Sequence, residues 1–213
     1  RSADEPTMQL PDGSHANHQY SKSSGFEKLI RQALAEAHPS PPSVYSLLRP
    51  YSELWIGRSF SQIKDAFGRF TSCNRNFRLA GDADKRWCGE CAKCAFTSLI
   101  LSPFITKAEA REIFGDSFLD RAALQPLYEQ LLGLSEHKPW DCVGTIDECR
   151  AALWGAGRSN AFSSTTAVQN FLPRLKKEIT DEAFFGVWHA AMKPHDGCIV
   201  PNAYIRAAEK LVP

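Results

Sequence analysis

Four cysteines stand in a pattern that metal chemistry uses: Cys73 alone, then Cys88, Cys91 and Cys94 close together in RWCGECAKC. A Cys-x-x-Cys turn places two thiolates on one ion, with Gly89 relaxing the backbone between them, and tetrahedral zinc asks for four soft or borderline ligands. Two overlapping pairs and a distant partner complete that set. With every corner taken by cysteine the site is closed, so the ion ties a loop to a helix and does not polarise a substrate. Structural zinc is the preferred reading; an iron–sulfur cluster or free redox thiols could use the same residues. Cys142, Cys149 and Cys198 are not spaced to join them. Cys149 and Cys198 read as small buried apolar residues, whereas Cys142 lies among polar groups in HKPWDCVG.

Four other groups could do chemistry. NHQYSKS places His18, Tyr20, Ser21 and Lys22 in a loop before a helix, where phosphate or carboxylate binds readily, although a serine-capped solvated loop has the same composition. LLRPYSE sets Arg49 after an expected strand and Glu53 in the first turn of a helix, either to hold an anion or to pair with each other. SCNRNFR adds Asn74, Arg75, Asn76 and Arg78 beside the metal site, and two arginines there could read phosphate. His137, Lys138, Asp141 and Cys142 form a set of candidate proton donors and acceptors.

The elements that position these residues are mostly helical. Apolar spacing predicts helices over 25–37, 53–60, 95–101, 106–114, 120–132, 147–154, 181–192 and 202–211. Ser52 is the expected N-cap of the second, Thr106 and Glu109 form a capping box, and Gly115 and Gly133 are stops. Pro173 should break or kink a helix over 167–178. Short apolar runs at 44–48 and 67–71 predict strands, and residues 155–164 read as a glycine- and serine-rich linker to a separable helical tail. The expected class is therefore helix-rich α/β with a partial sheet completed elsewhere. The expected divisions are a polar lead-in (1–24), a metal-containing part (25–154) and a helical tail (155–213).

With 25 basic and 24 acidic residues the net charge is +1, which supplies no whole-protein field for nucleic acid or an anionic membrane. No run approaches the ~20 apolar residues needed to span a bilayer, and a soluble chain is expected. Seven cysteines with three closely spaced favour metal-bound thiolates in a reducing compartment over disulfides. The chain opens on Arg1 with no signal-peptide pattern, which suggests a piece of something longer.

Read in order, the words RSADE, NHQYSKS, SLLRPYSE, SCNRNF, RWCGECAKC and LLGLSEHKPWDCVG resemble the ATP-dependent epimerases of UDP-N-acetylmuramoyl-L-alanyl-L-glutamate, a bacterial peptidoglycan-precursor family. The resemblance runs from residue 1 to about residue 154. The cysteine pattern alone is also similar to the cyanodeazaguanine synthases, but nothing outside the cluster reproduces their signature. The epimerase resemblance implies a cytoplasmic isomerase that uses ATP and Mg to convert the terminal L-glutamate carboxylate to an acyl-adenylate. The α-hydrogen is then easier to remove and can be returned on the opposite face.

It also implies an adenine-nucleotide alpha-hydrolase-like fold that this chain completes, because no glycine-rich nucleotide loop occurs here. The N-terminal half of the same enzyme would supply ATP binding, and the chain alone would be inactive. By resemblance His18, Lys22, Arg49 and Arg75 contact nucleotide or substrate anions, and Lys138 and Cys142 move the proton. Two alternatives are another carboxylate-adenylating enzyme and a zinc-ribbon nucleic-acid module using Arg75, Arg78, Lys85, Arg86 and Lys93.

Overall fold

The computed structural model describes residues 4, 8–76, 85–195 and 199–210. Arg1, Arg78, Cys198 and the stretch 79–84 of the expected polar loop lie outside the described residues. The described chain is helical: α1 (Ser24–Ala37), α2 (Glu53–Phe60), α3 (Ala92–Leu101), α4 (Lys107–Phe114), α5 (Gln125–Leu131), α6 (Ile146–Arg158), α7 (Thr166–Leu175), α8 (Asp181–Ala191) and α9 (Asn202–Lys210). Among the described residues the one sheet is an antiparallel pair, β1 (Met8–Gln9) with β2 (His15–Ala16), in which Met8 faces Ala16.

Helix α3 is the axis of the core. Ala92, Cys94, Ala95, Phe96, Ser98, Leu99, Ile100 and Leu101 are all buried, as expected of a helix that is apolar around most of its circumference. Each fully buried leucine such as Leu99 contributes about 1.5–3 kcal/mol. Neighbours approach closely because small residues face them. Gly57 of α2 sits where a β-carbon would come within 2.7 Å of Ile100, and α5 is tied on by a 2.8 Å hydrogen bond between the Ser98 and Tyr128 hydroxyls.

The capping signals hold. Ser52 accepts from the Trp55 N–H, Thr106 and Glu109 form a reciprocal capping box, and Gly115 and Gly133 take positive φ at the predicted stops.

Two sequence expectations fail for identifiable reasons. Residues 44–48 and 67–71 form no strand. The first is loop and turn, held to α1 by the Ser46 N–H on Glu27 and hemmed by Pro41, Pro42 and Pro50; the second is turn and coil, with Phe67 buried against Phe60. With no partner strand beside them among the described residues, these apolar runs bury side chains without a ladder.

Residues 155–158 are the last turn of α6 and not a linker. Their glycines are contact points: a β-carbon on Gly155 would lie 2.5 Å from Trp188 of α8, and one on Gly157 2.4 Å from Leu172 of α7. Helices α7 and α8 both pack on α6, and the Trp154 indole N–H donates to Asp181 at 2.7 Å. Pro173 falls in the last turn of α7, which ends two residues later at Leu175.

Candidate functional site

The cysteine knot forms where a loop meets the head of α3. Cys91 is the N-cap of α3 and Cys94 lies in its first turn, while Gly89, at φ 70°, turns the chain between Cys88 and Cys91. A β-carbon at Gly89 would meet only the movable end of the Arg121 side chain, so it is the left-handed conformation that calls for glycine. The four sulfurs lie within 4.8 Å of one another, with Cys73–Cys91 at 3.9 Å, Cys88–Cys94 at 3.7 Å and Cys91–Cys94 at 3.5 Å.

A tetrahedron with metal–sulfur bonds of ~2.3 Å has edges of ~3.8 Å, so this donor set fits one mononuclear ion. A cluster would spread its ligands over separate irons and drive some sulfurs further apart. Backbone N–H groups of Cys88 and Glu90 point at sulfur, each at 3.4 Å. The hydrogen bond shared with Cys94 holds the Cys91 thiol down to about 5.

Beside the knot opens a cavity of about 340 Å³, walled by Gln19, Lys22, Ser46, Arg49, Glu53, Lys93 and Cys142, among others. Its size is at the low end for a ligand site, enough for the reacting end of a larger molecule. Five pieces of chain build it: the 17–23 loop, the 46–51 loop, α2, α3 and the 139–144 loop. Lys22 Nζ stands 3.5 Å from Cys142 Sγ. His18 Nε2 lies 3.9 Å from the same sulfur, its ring stacked on Trp140 at 4.9 Å between centroids. Two expected residues of one loop, His18 and Lys22, therefore converge on the thiol of a third from a distant part of the sequence, Cys142.

The other expected residues are placed differently. Arg49 is in the wall, but its guanidinium is engaged internally, by Glu27 at 3.0 Å, Asp4 at 3.5 Å and the Lys22 carbonyl at 2.9 Å. Its partner is not Glu53. The head of α1 is likewise occupied, since Ser23 caps it and the Ser24 N–H donates to Asp4 at 2.6 Å. Burial opposes the Asp4 charge, yet the Ser24 hydrogen bonds and Arg49 outweigh it and hold that carboxyl below its usual range.

Arg75 lies on the exposed surface of the knot, paired with Glu90 at 2.9 Å, and Arg86 donates to the Phe67 and Glu112 carbonyls. Lys138 is not among the cavity walls; its charge acts on Cys149, which is fully buried.

Sequence reasoning missed two connections. The Asn74 amide donates to Asp141, so the residue after Cys73 grips the residue before Cys142 and couples the knot to the cavity loop. Glu148, only 4% exposed, joins two walls. One carboxylate oxygen accepts the Glu53 N–H at 2.9 Å, and the other accepts the Thr145 N–H at 2.9 Å. Thr145 and Glu148 are a legible capping box, but the bond to Glu53 crosses 95 residues and no local pattern reports it. Burial first, and the Glu148 charge second, push the Glu53 carboxyl above its usual range, against the pull of Lys93. The cavity thus holds cations suited to a carboxylate or phosphate, with a thiol and a carboxyl able to carry protons.

Residues 69–184 match the family model described as the MurL C-terminal domain, and residues 1–47 match the MurL N-terminal domain. Gln19, Lys22 and Ser46 come from the second match and Lys93 and Cys142 from the first, so the cavity lies at their junction. Among curated proteins the chain is similar to three named UDP-N-acetyl-alpha-D-muramoyl-L-alanyl-L-glutamate epimerase. That of Salinispora tropica is 40% identical over 99% of this chain and 45% of its own length. That of a Micromonospora species is 42% identical over 72% and 34%, and that of Xanthomonas oryzae pv. oryzae 36% over 80% and 38%. The chain spans less than half the length of these relatives. No solved structure matches. Among the described residues no helix is long and apolar enough to cross a membrane.

Proposed function

Because the chain belongs to the MurL family, we propose that it works as the C-terminal part of an epimerase acting on the terminal L-glutamate of UDP-MurNAc-L-Ala-L-Glu. The observation that carries this reading is the cavity at the junction of the two family matches, lined by Lys22, Lys93, Glu53 and Cys142. ATP with Mg, bound by the remainder of the enzyme and its nucleotide fold, would activate the glutamate carboxylate as an acyl-adenylate. A free carboxylate resists loss of the α-proton because the resulting dianion is poorly stabilised; an acyl carbonyl accepts the electron pair.

In this reading Lys22 and Lys93 hold a substrate anion, and His18 and Lys22 flank Cys142 as a proton carrier. Arg49 fixes the 46–51 loop to α1. Zinc occupies the four-cysteine knot and takes no part in the proton transfer; through Asn74 and Asp141 it sets the position of the Cys142 loop. The substrate is a nucleotide-linked precursor of peptidoglycan, which places the reaction in the bacterial cytoplasm.

The test is incubation of the full-length enzyme with UDP-MurNAc-L-Ala-L-Glu, ATP and Mg in D₂O. Deuterium at the glutamyl α-carbon, D-glutamate after hydrolysis and released pyrophosphate are expected. Turnover without ATP would refute the activation step, and turnover by the isolated chain would refute the division of labour.

A further inference from the structure

Glu53 occupies a distinctive position. It is the first residue of α2, behind a capped Ser52 whose hydroxyl also donates to the Ala191 carbonyl at 2.8 Å. Its backbone N–H is anchored on Glu148, yet among the described residues its carboxyl has no hydrogen-bond or ion-pair partner. Glu53 lines the same cavity as Cys142. The Glu148 carboxylate joins the Glu53 wall to Thr145, three residues beyond Cys142, so the two walls are held in fixed relation.

We propose that Glu53 is the second catalytic acid–base residue of this site, exchanging a proton with the glutamyl α-carbon on the face not served by Cys142. The assignment rests on the epimerase reading above and deepens it. A two-base inversion uses one proton carrier on each face of the α-carbon, and a single residue on a fixed wall reaches only one face of a substrate held still. Among the residues lining the cavity, Glu53 supplies a carboxyl and Cys142 a thiol, from separate pieces of chain, while Lys22 and Lys93 supply positive charge.

In one direction the Glu53 carboxylate takes the α-proton and the C–H electron pair moves into the adjacent acyl carbonyl. The Cys142 S–H then gives its proton to the opposite face. Glu53 ends protonated and Cys142 ends as a thiolate, whose charge the Lys22 ammonium faces at 3.5 Å. Proton exchange with water restores both. The upward push on the Glu53 carboxyl brings it closer to the operating pH, which favours proton transfer in both directions. The charged or titratable groups around the cavity that Glu53 lines are Lys22, Arg49 and Tyr51 from the two loops, Lys93 from α3, Cys142 from the 139–144 loop and, beside Glu53, Glu148 from α6.

The experiment is α-hydrogen exchange in D₂O by the full-length enzyme with ATP, started separately from the L-glutamyl and D-glutamyl epimers, for wild type, Glu53→Gln, Glu53→Asp and Cys142→Ser. Each variant is checked by thermal melting and zinc content. Glu53→Gln is expected to lose exchange from one epimer by at least ~100-fold while keeping it from the other, and Cys142→Ser to show the reverse. Glu53→Asp should restore part of the loss. Equal loss from both epimers in a folded Glu53→Gln protein would assign Glu53 a structural role and overturn the proposal, as would no loss at all. A variant that does not fold leaves the Glu53→Asp comparison, in which unaltered exchange from both epimers overturns it. Wild-type enzyme that exchanges neither epimer would overturn the epimerase reading itself, and the assignment with it.

Discussion

Replacing Glu148 with alanine tests whether one buried carboxylate holds the cavity together. The substitution removes the acceptor of the Glu53 N–H at 2.9 Å and of the Thr145 N–H at 2.9 Å, and a longer contact to the Thr145 hydroxyl at 3.2 Å. Hydrogen bonds to a charged group contribute about 1.5–3 kcal/mol each, so two well-formed ones predict about 3–6 kcal/mol. Because Glu53 borders an open cavity, water can reach its freed N–H, and the lower part of the range, about 3–4 kcal/mol, is expected.

For a chain of this length each kcal/mol moves the melting temperature by roughly 2–4 °C, so the shift should be about 6–16 °C. Glu148→Gln keeps one acceptor oxygen but turns an NH₂ group toward a donor, and should fall between alanine and wild type. The assay is thermal and urea unfolding of the zinc-loaded chain at neutral pH. A melting temperature for Glu148→Ala within about 2 °C of wild type would refute the claim that this carboxylate joins the two walls.

Purified chain is expected to carry one zinc per molecule by elemental analysis. Chelation should lower the melting temperature, and Cys91→Ser should abolish stoichiometric binding; iron with inorganic sulfide would contradict the sulfur geometry. Gly155→Ala drives a β-carbon against the rigid Trp188 ring. An overpacking cost of about 1–3 kcal/mol exceeds the ~1 kcal/mol that alanine gains in a helix, so unfolding should show a net loss. Gly157→Ala meets only the flexible end of Leu172 and should be near neutral in the same assay.

Glu53→Gln should raise stability. A carboxyl whose folded pKa is raised binds its proton more tightly when folded, so the wild type loses stability as pH rises through that folded value. The melting-temperature advantage of the variant should therefore grow as pH rises from the ordinary glutamate value of 4.5 upward with zinc present; a constant or shrinking difference would contradict the burial argument.

The sequence by itself determined the local features. Ser52, Thr106 with Glu109, and the glycines at 115 and 133 set helix ends because capping is settled within four residues of chain. The knot was legible because three of its ligands sit on one knuckle and one helix turn, where spacing alone fixes the geometry. Only the tertiary structure decided the rest. Whether the apolar residues 44–48 become a strand depends on a partner strand, and whether Gly155 is linker or helix depends on Trp188, which lies 33 residues away.

Arg49 is held by Glu27 and Asp4, 22 and 45 residues away, which no local pattern reports. The convergence of His18 and Lys22 on Cys142, and the bond from Glu148 to Glu53, join residues about 95 to 124 positions apart. Such contacts follow from how helices pack around α3, and no periodicity in the chain encodes them.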